Sequence, residues 1–157
     1  MRELQNTLEW FKKAGQLKEP GQVNPERAAF YIGMQLEELA EKIEAVYGGS
    51  TLLSEEMQSH GRAFKEGRLD DVVSDRLNQP GSAEALLDAD MDLIWVSVGA
   101  AACQGADVLG AYNEVGRANW DKFPEGVITV DSVSRKIMKP AGWVGPDLKP
   151  FTHKGLV

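Results

Sequence analysis

Two long stretches of helical periodicity dominate this chain, and each carries a pair of acids about one turn apart. In QLEELAEKIEAV the pair is Glu38 and Glu41, and in LLDADMDLIWVSV it is Asp88 and Asp92. Side chains three or four residues apart share one face of a helix. Each helix therefore offers two carboxylates in one direction, and two such helices could gather four. Like charges at ~4 Å cost roughly 4 kcal/mol per pair at an effective dielectric near 20, unless a cation lies between them. The ion suited to such donors is hard and oxygen-seeking: Mg²⁺, with Mn²⁺ as a substitute.

Acids at this spacing also decorate ordinary solvated helix faces. Two features weigh toward chelation. Leu86, Leu87, Met91, Leu93 and Ile94 surround the second pair, where a solvated face would be broadly polar. Aspartate is also a poor helix former, yet Asp88, Asp90 and Asp92 fall within five positions of a helical run.

The rest of the chain reads as a mostly α protein, an antiparallel helical bundle. Its 157 residues suit a single domain, 1–157, with a respectable core. A short helix over residues 3–14 would turn Leu4, Leu8 and Phe11 inward. The loop KEPGQVNPE follows, ending in Asn24 as cap and Pro25 as first helical residue. That helix should reach Tyr47, with Leu36, Leu39, Ile43 and Val46 as its core stripe and Gly48-Gly49 as its stop. Residues 49–80 suggest one or two short polar helices.

The second acid-bearing helix would start at Ser82 as N-cap and end before Gly105, turning Leu86, Leu93, Val96 and Ala100 inward. A last helix over residues 107–123 would bury Val108, Leu109, Tyr112, Val115 and Trp120. Beyond Pro124 the chain is rich in proline and glycine, with VITV as a short strand and KPAGWVGPDLKP as an ordered loop.

The net charge of -7 argues against a nucleic-acid binder, which needs a basic stripe to follow phosphates. A single nucleotide is not excluded, because bound metal can invert the local field. Cys103 is the only cysteine, so no internal disulfide exists, and its apolar surroundings predict burial. No signal-like apolar core opens the chain, and no segment reaches the ~18–20 apolar residues that span a bilayer. A cytoplasmic protein with no membrane partner is the expectation.

Near the end of the last helix, RANWDKF places Asn119 and Lys122 three apart, an amide and an ammonium toward one ligand. A terminal lysine also complements the helix dipole. Trp143, with Lys139 and Lys149 nearby, could cover a base and its phosphates, or simply pack its own loop. No GxxxxGK[ST] and no GxSxG occurs, and neither His60 nor His153 belongs to a Glu-x-x-His pair. Hard-metal chemistry on an anionic substrate is what remains.

In order, EELAE, DADMDL, NWDKF and KPAGWVGPDL resemble the all-α nucleoside triphosphate pyrophosphohydrolase superfamily. That superfamily includes MazG-like proteins, phosphoribosyl-ATP pyrophosphohydrolase and the dimeric dUTPases, and the likeness is greatest to phosphoribosyl-ATP pyrophosphohydrolase-like proteins. Its hallmark is EExxE on one helix and ExxD on the next. Glu37, Glu38 and Glu41 match the first half. In the second half Ala89 stands three before Asp92, so Asp88 is the natural substitute.

The resemblance implies a bundle completed as a homodimer or homotetramer. It also implies Mg²⁺-dependent hydrolysis of a nucleoside triphosphate substrate to monophosphate and pyrophosphate. Glu38, Glu41, Asp88 and Asp92 would hold metal, and Glu37 would orient or deprotonate water. Lys122 would neutralise a phosphate, and Asn119 and Trp143 would help bind substrate. The alternatives are phosphoribosyl-ATP pyrophosphohydrolase itself, and a noncatalytic acidic helical binding module.

Overall fold

The computed structural model describes residues 2–18 and 22–153. Six α-helices account for most of them: α1 Arg2–Lys13, α2 Pro25–Tyr47, α3 Leu52–Lys65, α4 Asp70–Leu77, α5 Pro80–Cys103 and α6 Val108–Trp120. No strand forms among the described residues, so the chain is all-α, as its periodicity implies. VITV, expected as a short strand, makes one antiparallel bridge only, Val130 with Ile137. Val127 is exposed there, and an isolated pair of short segments with no face to bury does not extend into a sheet. Among the described residues, 18–83 together with 131–136 form one compact unit, and the remainder form a second. Residues 19–21, the start of the KEPGQVNPE loop, lie outside the described residues.

In the first unit, α2 packs against α3 and α4. Pro25 opens α2 and Gly48, at φ 73°, closes it in the left-handed conformation, its N–H bonding to the Glu44 carbonyl. Asn24 holds the cap position, but its side chain makes no capping bond; its backbone, at ψ 80°, is not the extended one a cap prefers. The face of α2 that packs is Ala29, Phe30, Gly33 and Ala40. Leu36, Leu39 and Ile43 are half-buried, and Val46 is exposed. The reason is a close helix crossing. A β-carbon on Gly33 would lie 2.6 Å from the Gly61 carbonyl oxygen, and one on Gly61 would lie 2.9 Å from that of Gly33. Backbones this near require small residues at the crossing point, with Leu36 packed beside it.

A reciprocal cap starts α3: the Ser54 N–H donates to Thr51 Oγ1, and the Thr51 N–H donates to Ser54 Oγ. Its end is secured from far along the chain. Arg135 donates from Nε to the Lys65 carbonyl (2.9 Å) and from Nη2 to the Phe64 carbonyl (3.1 Å). Arg135 also sits over the Phe30 ring and pairs with Asp70. A cation against the last carbonyls of a helix satisfies both the orphan acceptors and the dipole.

In the second unit, α1 packs against α6. Trp10 is the buried residue of α1; its Nε1 donates to the Asn119 carbonyl, and Phe11 and Phe123 meet its ring edge-on. Leu4 and Leu8, expected inward, are exposed, because Trp10 lies on a different side of the helix and fixes which side faces α6. Asp107 caps α6 through the Gly110 N–H, and Phe151 lies against Gly110. Ala118 is the buried residue of α6; Leu109, Tyr112 and Val115 are exposed, while Val108 and Trp120 are half-buried.

The helix α5 starts earlier than expected. Pro80 occupies its first turn and the Gln79 carbonyl accepts from the Ser82 and Ala83 N–H groups, so Ser82 lies inside the helix and is not its cap. No residue of α5 is buried. Val96, expected inward, is exposed, and so is Cys103. Leu87, Met91, Ile94, Trp95 and Val98 are all at least half exposed, with Trp95 at 81%. Their spacing (i, i+4, i+7, i+8, i+11) makes them one stripe along the helix. No single helix among the described residues is long and apolar enough to cross a membrane.

Candidate functional site

Glu37, Glu38 and Glu41 lie within little more than one turn of α2, and the structure gives Glu37 and Glu38 different electrostatic settings. Lys65, at the end of α3, donates to Glu37 Oε1 at 2.6 Å. Lys136 donates to Glu37 Oε2 at 3.0 Å. Burial alone would raise the Glu37 carboxyl; the two lysines overcome it and hold Glu37 below the usual carboxylate range. Glu38 goes the other way. Burial, then the charges of Glu41 and Glu37, push it up, and Lys136 only partly offsets them. Crowded acid is thus present at Glu38, neutralised acid at Glu37.

Asp88 and Asp92 are exposed on α5, in the second unit. Among the described residues, no three His, Cys, Asp or Glu side chains gather in an arrangement that would hold a metal ion. Glu38 and Glu41 fit a hard divalent cation by donor type, and the raised Glu38 carboxyl reflects a site that positive charge would relieve.

The structure does bring Asn119, Lys122 and Trp143 together. The last turn of α6 carries Asn119, whose Oδ1 accepts from Lys122 Nζ at 2.8 Å while its Nδ2 donates to the Val115 carbonyl. The indole N–H of Trp143 donates to the Ala118 carbonyl at 2.6 Å, which fixes the ring to α6. Lys122 Nζ lies 5.6 Å from the centre of that ring, and Lys139 Nζ lies 4.5 Å from it. Burial, and then the neighbouring Lys139 charge, lower the Lys122 pKa. This is a small cationic centre with an aromatic floor, suited to an anion.

Sequence reasoning missed Lys65 and Lys136 as partners of Glu37. Lys65 could have been found: it closes a helix that must pack on α2, with Gly61 one turn before it. Nothing local marks Lys136, whose contact spans 99 positions. No protein-family model, curated protein or solved structure matches this chain.

Proposed function

We propose that this chain is a metal-dependent nucleoside triphosphate pyrophosphohydrolase, converting an NTP or dNTP to the monophosphate and pyrophosphate. The observation that carries the reading is the meeting of Asn119, Lys122 and Trp143, residues up to 24 positions apart that close on one cationic centre. The order of acidic motifs along the chain supports it, as does the crowding at Glu38.

In this reading Glu38, Glu41, Asp92 and Asp88 are the metal ligands. Bound Mg²⁺, or Mn²⁺ in its place, would supply charge neutralisation at the phosphates and a more acidic water. Lys122 neutralises a phosphate oxygen. Asn119, which holds the Lys122 ammonium, orients that contact, and Trp143 gives the substrate a rigid wall. Glu37 has both oxygens engaged by lysines, so it orients a water through its remaining lone pairs better than it deprotonates one.

We also propose that a second copy of the chain covers the apolar stripe of α5, completing the bundle as a homodimer or a dimer of dimers. A contiguous apolar face of this kind matches burial against another copy better than a solvated surface.

The test is pyrophosphate release from a full panel of ribo- and deoxyribonucleoside triphosphates with Mg²⁺, repeated with EDTA. Turnover that EDTA abolishes is expected. If no triphosphate in the panel is cleaved, the enzymatic reading fails and the binding-module alternative takes its place.

A further inference from the structure

Two pairs of lysines converge in this protein, and they are resolved differently. Lys65 and Lys136 meet on the carboxylate of Glu37, one on each oxygen. Lys122 and Lys139 each lie against the ring of Trp143, and among the described residues neither makes an ion pair. Among the described residues the first pair is neutralised by a carboxylate and the second is not, although each pair stands within its own compact unit.

We propose that Lys139 is a second phosphate-binding residue, which with Lys122 spans two adjacent phosphoryl groups of a polyphosphate chain. The assignment of Lys122 to phosphate belongs to the function proposed above; the pairing with Lys139, and the preference for linked phosphates, are new.

Three observations carry it. Both ammonium groups are held by the same platform, since Trp143 is tied to α6 through its N–H and the Ala118 carbonyl. Lys122 is further steadied by Asn119 Oδ1 at 2.8 Å, so the cationic centre is organised before any anion arrives. The centre parallels the Glu37 arrangement in carrying two ammonium groups, but among the described residues no carboxylate pairs with them. Lys139 is exposed and Lys122 half-buried, which leaves the pair open on one side. Burial is the larger cause of the lowered Lys122 pKa and the Lys139 charge the smaller, and a bound anion would offset the second. A diphosphate offers each cation its own phosphoryl group, whereas orthophosphate has one group for both. Trp143 acts here as a positioning residue.

Titration calorimetry on the full chain in EDTA, with inorganic pyrophosphate and separately with orthophosphate, tests this. Pyrophosphate should bind at least about tenfold more tightly than orthophosphate, the gain expected from one added charge-assisted contact. Lys139→Gln should weaken pyrophosphate about tenfold and orthophosphate hardly at all, and Lys139→Arg should restore most of the loss. The far-ultraviolet circular dichroism of each variant should match wild type. Equal pyrophosphate affinity in Lys139→Gln, no discrimination by the wild type, or no pyrophosphate binding would each overturn the proposal. Turnover of triphosphates is scored separately. Intact pyrophosphate binding without turnover removes the enzyme and leaves this site; turnover with unchanged binding in Lys139→Gln does the reverse.

Discussion

Lys65 on α3 reaches Glu37 on α2 across 2.6 Å, and the lysine side chain is only 13% exposed. A charge-assisted bond this sheltered keeps much of its strength, and removing one end strands the other. Lys65→Met should destabilise the protein by about 1–3 kcal/mol, measured by urea unfolding. The double variant with Glu37→Gln should lose less than the sum of the two singles. Strict additivity would show that the pair does not act as a unit.

Glu38→Gln should behave oppositely. The fold raises the Glu38 carboxyl, so it favours the protonated form, and the ionised form present at neutral pH weighs against folding. The amide removes that charge. The metal-free variant should melt no lower than wild type at pH 7, while under the proposed function its hydrolytic activity is lost. A lower melting temperature without metal would contradict the crowding at this position.

Glycine replacements should change sign with position. Gly33→Ala on α2 would push a methyl group to 2.6 Å from the Gly61 carbonyl, and overpacking of this kind costs about 1–3 kcal/mol. Gly116 lies within α6 with nothing inside 4 Å of an added β-carbon. Gly116→Ala should therefore stabilise by about 0.5–1 kcal/mol through the helix interior preference alone. Thermal unfolding of the two variants reads both signs.

Glu114 gives the clearest dependence on pH. Arg117 and the backbone N–H of Asp147 hold its pKa down to about 2, against an ordinary 4.5. For an acid whose pKa falls on folding, the stabilisation is complete above the unfolded value and fades as pH drops toward the folded one. The stability gap between wild type and Glu114→Gln should be constant from neutral pH down to about 4.5 and shrink below it. A gap that persists unchanged near pH 2 would mean the carboxylate charge is not what binds this corner.

If a second copy covers α5, its stripe must resist charge. Trp95→Glu, at the most exposed large apolar residue of that helix, should shift the protein to monomer in sedimentation velocity. Monodisperse monomer in the wild type would end the dimer proposal.

The helices were legible because their signals are local. Pro25 and Gly48 bracket α2 within the chain, and Asp107 caps α6 three residues from its target. Which side of each helix turns inward was less legible. Leucine periodicity pointed to Leu4 and Leu8, and the α2 stripe to Val46, but Trp10 and the Gly33–Gly61 approach decided the packing faces, and a close backbone crossing rewards small residues that hydrophobicity patterns pass over. The Asn119–Lys122 pair was visible at helical spacing, and Trp143 joined it through an indole bond across 25 positions. The counter-ions of Glu37 were not visible, since Lys136 comes from a distant turn.

Arg135 ties its guanidinium to carbonyls 70 and 71 positions earlier, and its own carbonyl accepts from Arg27, 108 positions earlier. Such clasps cannot close during synthesis until residue 135 itself has left the ribosome. A nascent chain stalled before that turn would carry α2 and α3 with the end of α3 unlatched, so its last carbonyls would be left to water.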